Sequence, residues 1–261
     1  MKKGICFGCL PRDWSLEDKL ALAARAGYHG VEVNTIEDPA QRETVRAAAA
    51  AEGIELPSVM ASGHWQNPLS SPDEAVRQAG LQNIRASVDT AVAVGASVVL
   101  VVPAVVNDTQ PYGEAYDISV KSLRELAPYA AQHNIRLGVE NVWNRFLLTP
   151  REMDGYLTDI DAPNVGLYFD CGNILNYGHP QAWIRELGRR IIKVHVKDFD
   201  VNLRQFRHLL QGSVNWKEVR AALSEIGYDD YLTVELPQYP VYPDQMAIDS
   251  SHHLDRIIAG E

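Results

Sequence analysis

The chain has 261 residues, of which 46% are hydrophobic, and carries a formal net charge of −10 at pH 7. This length is typical of one α/β barrel and allows a large buried core. Because an acidic surface repels phosphate backbones at long range, we expect no nucleic-acid partner. The sequence contains neither a signal-length apolar start nor a run long enough to span a bilayer, so we expect a cytoplasmic protein with no membrane partner.

Short apolar runs alternate with longer helical patterns along the whole chain. Eight strands are predicted, at residues 4–8, 30–34, 55–61, 97–103, 136–140, 166–170, 192–197 and 231–236. Continuously apolar strands such as the fourth suit a parallel sheet covered on both faces. Eight strand–helix units predict an α/β fold, a (β/α)8 TIM barrel that forms a single domain over 1–261. A doubly wound open sheet is the alternative, although no glycine-rich nucleotide-binding motif follows the first strand.

Several helix starts carry recognisable capping residues. Ser15 is the predicted N-cap of the first helix, Ser71 followed by Pro72 that of the third, and Thr149 followed by Pro150 that of the fifth. The remaining helical patterns cover 40–52, 115–132, 180–190, 216–226 and 244–259.

The chain has three cysteines, Cys6, Cys9 and Cys171. The first two have CxxC spacing, but no second pair exists to complete a zinc cluster. Reduced thiols are the simpler interpretation for a cytosolic protein.

Four consecutive predicted strands each carry a metal-ligand type of side chain at or near the carboxyl end. These residues are Glu140, Asp170, His195 and Glu235. Singly, each has an ordinary explanation, such as a helix cap, an ion-pair partner or a core histidine. In a barrel, however, all four can point to one place near the axis, where three carboxylates without a cation would repel one another. Three oxygen ligands and one imidazole suit one divalent ion: Mn²⁺, Mg²⁺, Co²⁺ or a catalytic Zn²⁺.

The strand-end set also resembles a known family. Glu140, "YFDCGN" at 168–173, "KVHVKDF" at 193–199 and "LTVELP" at 232–237 resemble the xylose-isomerase-like TIM barrels, and among them the sugar (or sugar phosphate) isomerases and epimerases. The resemblance covers nearly the whole chain. It implies that the four residues bind one divalent metal and that Glu140 and Glu235 are the proton-transfer pair.

The reaction implied by this resemblance is proton abstraction next to a carbonyl, through a metal-stabilised enediolate. Two opposed carboxylates would invert the carbon, whereas one base that returns the proton to the neighbouring carbon would isomerise the sugar. Both outcomes are compatible with the sequence.

The sequence departs from the ketose 3-epimerase pattern at substrate-contacting positions. Asn173 stands where those enzymes have a histidine, and Val201 where they have an arginine. The segment after Glu140 also lacks their glutamate. The substrate therefore remains open among a related sugar, a sugar acid derivative and a sugar phosphate.

Further polar and aromatic residues are placed to line the pocket. The candidates for substrate binding are His64, Trp65, Asn173, Trp143, Arg145 and Lys197. For Lys197 an ion pair with the adjacent Asp198 is the alternative. Glu32, on the second strand, is either a hydrogen-bonding group in the barrel mouth or an ordinary acid at the edge of the core. Arg204 and Arg207 lie in the loop after the seventh strand, where barrels often bind phosphate.

Three other functions fit parts of the pattern. A dehydratase of a cyclic or acyclic sugar, of the inosose dehydratase kind, begins with the same proton abstraction. A phosphodiesterase resembling endonuclease IV would need more metal ligands and a basic surface. A sugar-binding protein without turnover would not need two opposed glutamates. A homo-oligomer is also possible.

Overall fold

Parallel strands surround the centre of the molecule, and helices cover them. The computed structural model describes residues 1–260. The barrel strands are β1 (Lys2–Cys6), β2 (Gly30–Asn34), β3 (Ser58–Met60), β4 (Val98–Val101), β5 (Arg136–Glu140), β6 (Val165–Asp170), β7 (Ile191–Val196) and β10 (Tyr231–Val234). Two short strands, β8 (Asp198–Asp200) and β9 (Gln205–Arg207), form a separate antiparallel pair.

The barrel is closed, with the strand order β1-β10-β7-β6-β5-β4-β3-β2. Each barrel strand pairs in parallel with its neighbours in the chain, and β10 returns to pair with β1. The predicted (β/α)8 barrel is therefore confirmed, and the open-sheet alternative is wrong.

The helices are α1 (Leu16–Arg25), α2 (Pro39–Ala51), α3 (Glu74–Val94), α4 (Tyr112–Gln132), α5 (Pro150–Ile160), α6 (Cys171–Ile174), α7 (Pro180–Leu187), α8 (Trp216–Glu225) and α9 (Pro243–Ala259). Ser15 caps α1, and Thr149 forms a capping box with Glu152 at α5, as predicted. The prediction for α3 is wrong by two residues. Asp73 is its N-cap, because the Asp73 carboxylate accepts from two backbone N–H groups of the first turn.

Other boundaries also differ from the prediction. Residues 55–57 lead into β3 with only an isolated bridge at Glu55, and 7–9 form a 3₁₀ turn rather than the end of β1. Neither the β8–β9 hairpin nor the one-turn helix α6 was predicted. The three cysteines are free and buried. Within residues 1–260, no helix combines the length and the apolar character needed to cross a lipid bilayer.

Strand β7 contains one extra residue relative to β6. Leu167 pairs with Ile191, but the next residue, Tyr168, pairs with Lys193. Such a bulge re-aims the side chains that follow it. Beyond the bulge Asp170 lies directly opposite His195, so the irregularity fixes which residues of the two strands meet at the mouth of the barrel.

The apolar core has two layers. The larger lies between the strands and the helices, and the smaller fills the barrel interior with Val98, Leu100, Val102, Tyr168 and Ile192. This interior plug closes the barrel below its carboxyl end. Polar side chains that point inward above it are therefore held in a buried, shaped site.

Candidate active site

The four predicted ligand residues converge at the carboxyl end of the barrel. One ligand atom from each of Glu140, Asp170, His195 and Glu235 lies within 4.8 Å of the others. Glu140, Asp170 and His195 are buried, and Glu235 is partly exposed. Since these residues lie at or near the carboxyl ends of adjacent strands, the closed sheet brings them together, and the bulge in β7 sets His195 opposite Asp170.

His195 occupies the centre of this group, and carboxylates flank both of its ring nitrogens. Its Nδ1 lies 3.2 Å from Glu140 Oε1 and 3.8 Å from Glu235 Oε2. Its Nε2 lies 2.9 Å from Glu32 Oε1, on the side away from the cluster. The imidazole is thus oriented by acids from both sides.

Asp170 uses its two carboxylate oxygens differently. Oδ1 accepts from the backbone N–H of Asn173 at 2.6 Å and caps α6. Oδ2 is buried and forms no hydrogen bond. The side chain of Asn141 accepts from the Asp170 N–H and donates to the Asp170 carbonyl, both at 2.9 Å, so the residue is held firmly from the neighbouring strand.

Lys197 supplies the positive charge nearest to the cluster. Its Nζ is hydrogen bonded to Glu235 and lies 3.2 Å from Asp170 Oδ2. The alternative ion pair with Asp198 is wrong. Asp198 instead accepts from the backbone N–H groups of Phe199 and Val214 and from the indole of Trp216, the first residue of α8.

Burial and neighbouring charges shift the pKa values of the three clustered acids in different directions. Burial raises the pKa of Glu140 to about 7, although His195 acts in the opposite direction. Burial, with Glu235 nearby, also raises the pKa of Asp170 above its ordinary value. Burial would raise the pKa of Glu235 too, but Lys197 and His195 outweigh it and lower that pKa. Lys197 alone therefore does not neutralise the group.

The cluster fits a divalent cation. Asp170 Oδ2 is buried without a hydrogen bond, and Lys197, which lies 3.2 Å from it, is shared with Glu235, so the three carboxylates can accept a further positive charge. Three carboxylates and one imidazole within 4.8 Å form the donor set that Mn²⁺, Mg²⁺, Co²⁺ or a catalytic Zn²⁺ accepts. Glu140, Asp170, His195 and Glu235 are the residues that could hold it.

A cavity of about 350 Å³ opens above the cluster. It adjoins a second cavity of about 480 Å³, and both are lined by Met60, Lys197, Phe206 and Glu235. These volumes suit a small-molecule ligand. The walls are aromatic and aliphatic, while the floor carries the acids, an arrangement suited to a polyhydroxylated molecule that stacks on one face.

The predicted substrate-binding residues do not all reach this cavity. His64, Trp65, Asn173, Trp143 and Lys197 line it, whereas Arg145 is exposed and is not among its lining residues. Asn173 also has a structural task, because its side chain donates to the Asn141 carbonyl at 2.9 Å.

Residues 20–257 match the family model of the xylose isomerase-like TIM barrels. The chain belongs to this family. The match spans the barrel from α1 to α9, so it includes the strands that carry the four clustered residues.

Relatives that align with most of the chain include proteins with an epimerase name. The L-ribulose-5-phosphate 3-epimerase UlaE of Salmonella paratyphi C is 27% identical over 244 residues, which are 89% of this chain and 86% of that protein. The uncharacterized protein MJ1311 of Methanocaldococcus jannaschii is 31% identical over 177 residues, which are 65% of this chain and 60% of that protein.

Solved structures share the same fold along the whole chain. A D-tagatose 3-epimerase-like protein superposes with a TM-score of 0.86 at 24% identity, over 99% of this chain and 97% of that one. An L-ribulose 3-epimerase gives a TM-score of 0.85 at 19% identity, over 99% and 94%.

Three residues in or next to the candidate active site are not predicted from the sequence. Phe206 lines both cavities and packs on Trp143, with ring centroids 4.7 Å apart. An aromatic between two polar residues, Gln205 and Arg207, is the pattern of a short two-sided strand and is the signal that could have found it. Ser58 and Tyr168, which bind Glu32, lie in strands that otherwise look like plain core.

Proposed function

We propose that this protein is a sugar epimerase or isomerase that depends on a divalent cation and moves a proton next to a ketose carbonyl. The observation that carries the proposal is the position of Glu140 and Glu235. Both lie in the cluster with Asp170 and His195, and both line the floor of the sugar-sized cavity. The epimerase names of the relatives support the same class of reaction.

Glu140 and Glu235 are the proposed proton-transfer pair. They project from β5 and from the end of β10, strands that are separated in the barrel order by β6 and β7. Two carboxylates that approach a planar intermediate from different strands allow removal of a proton on one side and its return on the other. A cation held by the cluster would supply Lewis-acid stabilisation of the negative charge that develops on the sugar oxygens.

The other cavity residues orient and cover the substrate. Trp65 and Trp143 offer faces for stacking on the sugar, and both are partly exposed at the cavity. Lys197, held at the floor by Glu235, offers a charged donor to a substrate oxygen. Aromatic walls around this floor exclude water from the reacting carbon.

We place unphosphorylated ketoses ahead of ketose phosphates as substrates. Lys197 is the one lysine or arginine among the described residues that line the two cavities, and it already serves Glu235 and Asp170. Arg204 donates instead to Asn176 at 3.0 Å. Arg207, the other arginine after β7, is not among the lining residues of either cavity, so a phosphate dianion bound there would meet only Lys197 within the described part of the chain. Because the chain is 27% identical in sequence to the L-ribulose-5-phosphate 3-epimerase, a ketose phosphate is the second candidate.

Deuterium exchange tests the proposed reaction. Protein stripped by chelation and reloaded with Mn²⁺, Mg²⁺, Co²⁺ or Zn²⁺ is incubated in D₂O with a panel of ketoses and ketose phosphates and followed by proton NMR. We expect cation-dependent deuterium uptake beside the carbonyl, reduced about 10²- to 10⁴-fold in Glu235→Gln and Glu140→Gln.

Glu225→Gln is the matched control. Glu225 pairs with Arg185 on the outer helices, so the same chemical change there should leave exchange unaltered. Loss of water from the substrate in place of exchange would identify a dehydratase. Bound cation without exchange on any sugar of the panel would contradict the proposal and indicate a binding role.

A further inference from the structure

Glu32 is a buried acid that the proposed proton transfer does not use. It lies on β2 and is only 1% exposed. Four other barrel strands meet its carboxylate, since it contacts Cys6 on β1, Ser58 on β3, Tyr168 on β6 and His195 on β7. A charged group buried this deeply in a barrel is costly unless every lone pair is used.

Both oxygens of Glu32 are fully engaged. Oε2 accepts from the Ser58 hydroxyl at 2.6 Å and from the Tyr168 hydroxyl. Oε1 lies 2.9 Å from His195 Nε2 and accepts from the Cys6 thiol at 3.4 Å. Two hydroxyl donors on one oxygen fix the carboxylate as an acceptor and aim its other oxygen at the imidazole.

The consequence concerns which nitrogen of His195 carries the hydrogen. Because Oε1 of Glu32 can only accept, Nε2 must donate to it. Nδ1 is then the nitrogen that faces Glu140 at 3.2 Å and Glu235 at 3.8 Å, on the side of the cluster. A hydrogen bond from the far nitrogen is the usual means of setting the tautomer of a metal-binding histidine.

We infer that Glu32 is a positioning residue that holds His195 with its Nδ1 lone pair directed at the divalent-cation site. The inference rests on the proposed function, because it assigns Glu32 to the cation that the four-residue cluster would hold. Cys6, Glu32 and His195 also come within 4.8 Å of one another. Their shared hydrogen bonds already use the atoms that a second cation there would need.

Cation titration of the stripped protein tests the inference without any substrate. Glu32→Gln leaves one amide oxygen for the donors of Ser58, Tyr168, Cys6 and His195, so it should release the histidine. We expect the Kd for Mn²⁺ to rise about 10- to 100-fold, the range for loss of such a partner. Glu225→Gln, on the outer surface, should bind Mn²⁺ as the wild type does.

The tautomer itself is measured on the wild type, so the test survives a poorly folding variant. With ¹⁵N-labelled histidine and Zn²⁺ as a diamagnetic probe, the ring shifts of His195 should show hydrogen on Nε2. Hydrogen on Nδ1, or equal Mn²⁺ affinity in Glu32→Gln and the wild type, would overturn the role of Glu32 alone. No uptake of any divalent cation by the wild type would overturn the proposed function, and this inference with it.

Discussion

At the scale of single residues, the two carboxylate oxygens of Asp170 have different roles, one in the fold and one in the proposed function. Oδ1 closes the first turn of α6, while Oδ2 remains without a hydrogen bond at the cluster. One side chain therefore ends the strand, caps the turn that follows and offers an oxygen to the proposed cation. An amide in its place would keep the cap and lose the charge.

Replacing Asp170 by Asn should separate stability from cation binding. The amide oxygen can still accept from the Asn173 N–H. Lys197 loses its pairing with Asp170 but keeps that with Glu235, while a buried negative charge near Glu235 disappears. We expect the Tm of the cation-free protein to be no lower than in the wild type, and the Mn²⁺ affinity to fall by more than about 100-fold, beyond the loss for an outer partner. Thermal unfolding and Mn²⁺ titration check both. A large drop in Tm with normal affinity would contradict this assignment.

The clustered residues were predictable from sequence because strand ends in a barrel meet at one face. Glu140, Asp170 and Glu235 each end or follow an apolar run and His195 lies near the end of one, so the barrel topology brings all four to one face. The network of Glu32 was not predictable. Its partners Tyr168 and His195 are 136 and 163 positions away, and no local pattern distinguishes a tyrosine that donates to an acid from one that fills the core.

At the scale of elements, the β8–β9 hairpin forms one wall of the cavity. Phe206 on β9 packs on Trp143, and Lys197 Nζ lies 5.2 Å from the centre of its ring. Phe199 on β8 packs edge-on against Trp143 from below, with centroids 5.4 Å apart. The hairpin thus fixes the aromatic surface on which a sugar would stack.

Removal of this wall should weaken substrate binding more than stability. In Phe206→Ala the stacking surface is lost, and an aromatic pair contributes about 0.5–1.5 kcal/mol. We expect KM for the ketose to rise about two- to tenfold with kcat little changed. Because Phe206 is 39% exposed, Tm should change little. An unchanged KM would show that the hairpin does not contact the substrate.

Hydrophobic periodicity and helix-capping residues predict the barrel elements. The exceptions have physical causes. The N-cap of α3 moved to Asp73 because a carboxylate there reaches two N–H groups, while Ser71 accepts from the Asp73 N–H instead. The bulge in β7 could not be predicted, because one extra residue within an apolar run leaves the sequence pattern of the strand unchanged. It is visible only in the pairing with β6.

At the scale of the whole molecule, charge bears on the two proposed substrate classes. The net charge is −10, and the described cavity residues include a single cationic side chain, Lys197. A phosphorylated ketose is therefore repelled by the negative field as it approaches. Once bound, its phosphate has no unpaired cationic side chain to contact among the described residues of the two cavities. Free ketoses avoid both penalties.

We expect kcat/KM to be about ten- to hundredfold lower for a ketose phosphate than for the same unphosphorylated ketose, because an unpaired charged group costs about 1–3 kcal/mol or more. Added salt should narrow the gap, since it screens the repulsion. Steady-state rates on both sugars at low and high ionic strength provide the measurement. A preference for the phosphate would move the assignment to the second candidate.

The closure of the barrel also determines when, during folding, the four-residue cluster can be completed. Strand β10 pairs with β1, and Glu235 directly follows it, so joining the two ends of the sheet and completing the four-residue cluster are one event. A nascent chain that has produced Glu140, Asp170 and His195 still lacks the fourth side chain. A cation that needs all four side chains would therefore bind only after the barrel has closed, by way of the aromatic mouth of the cavity.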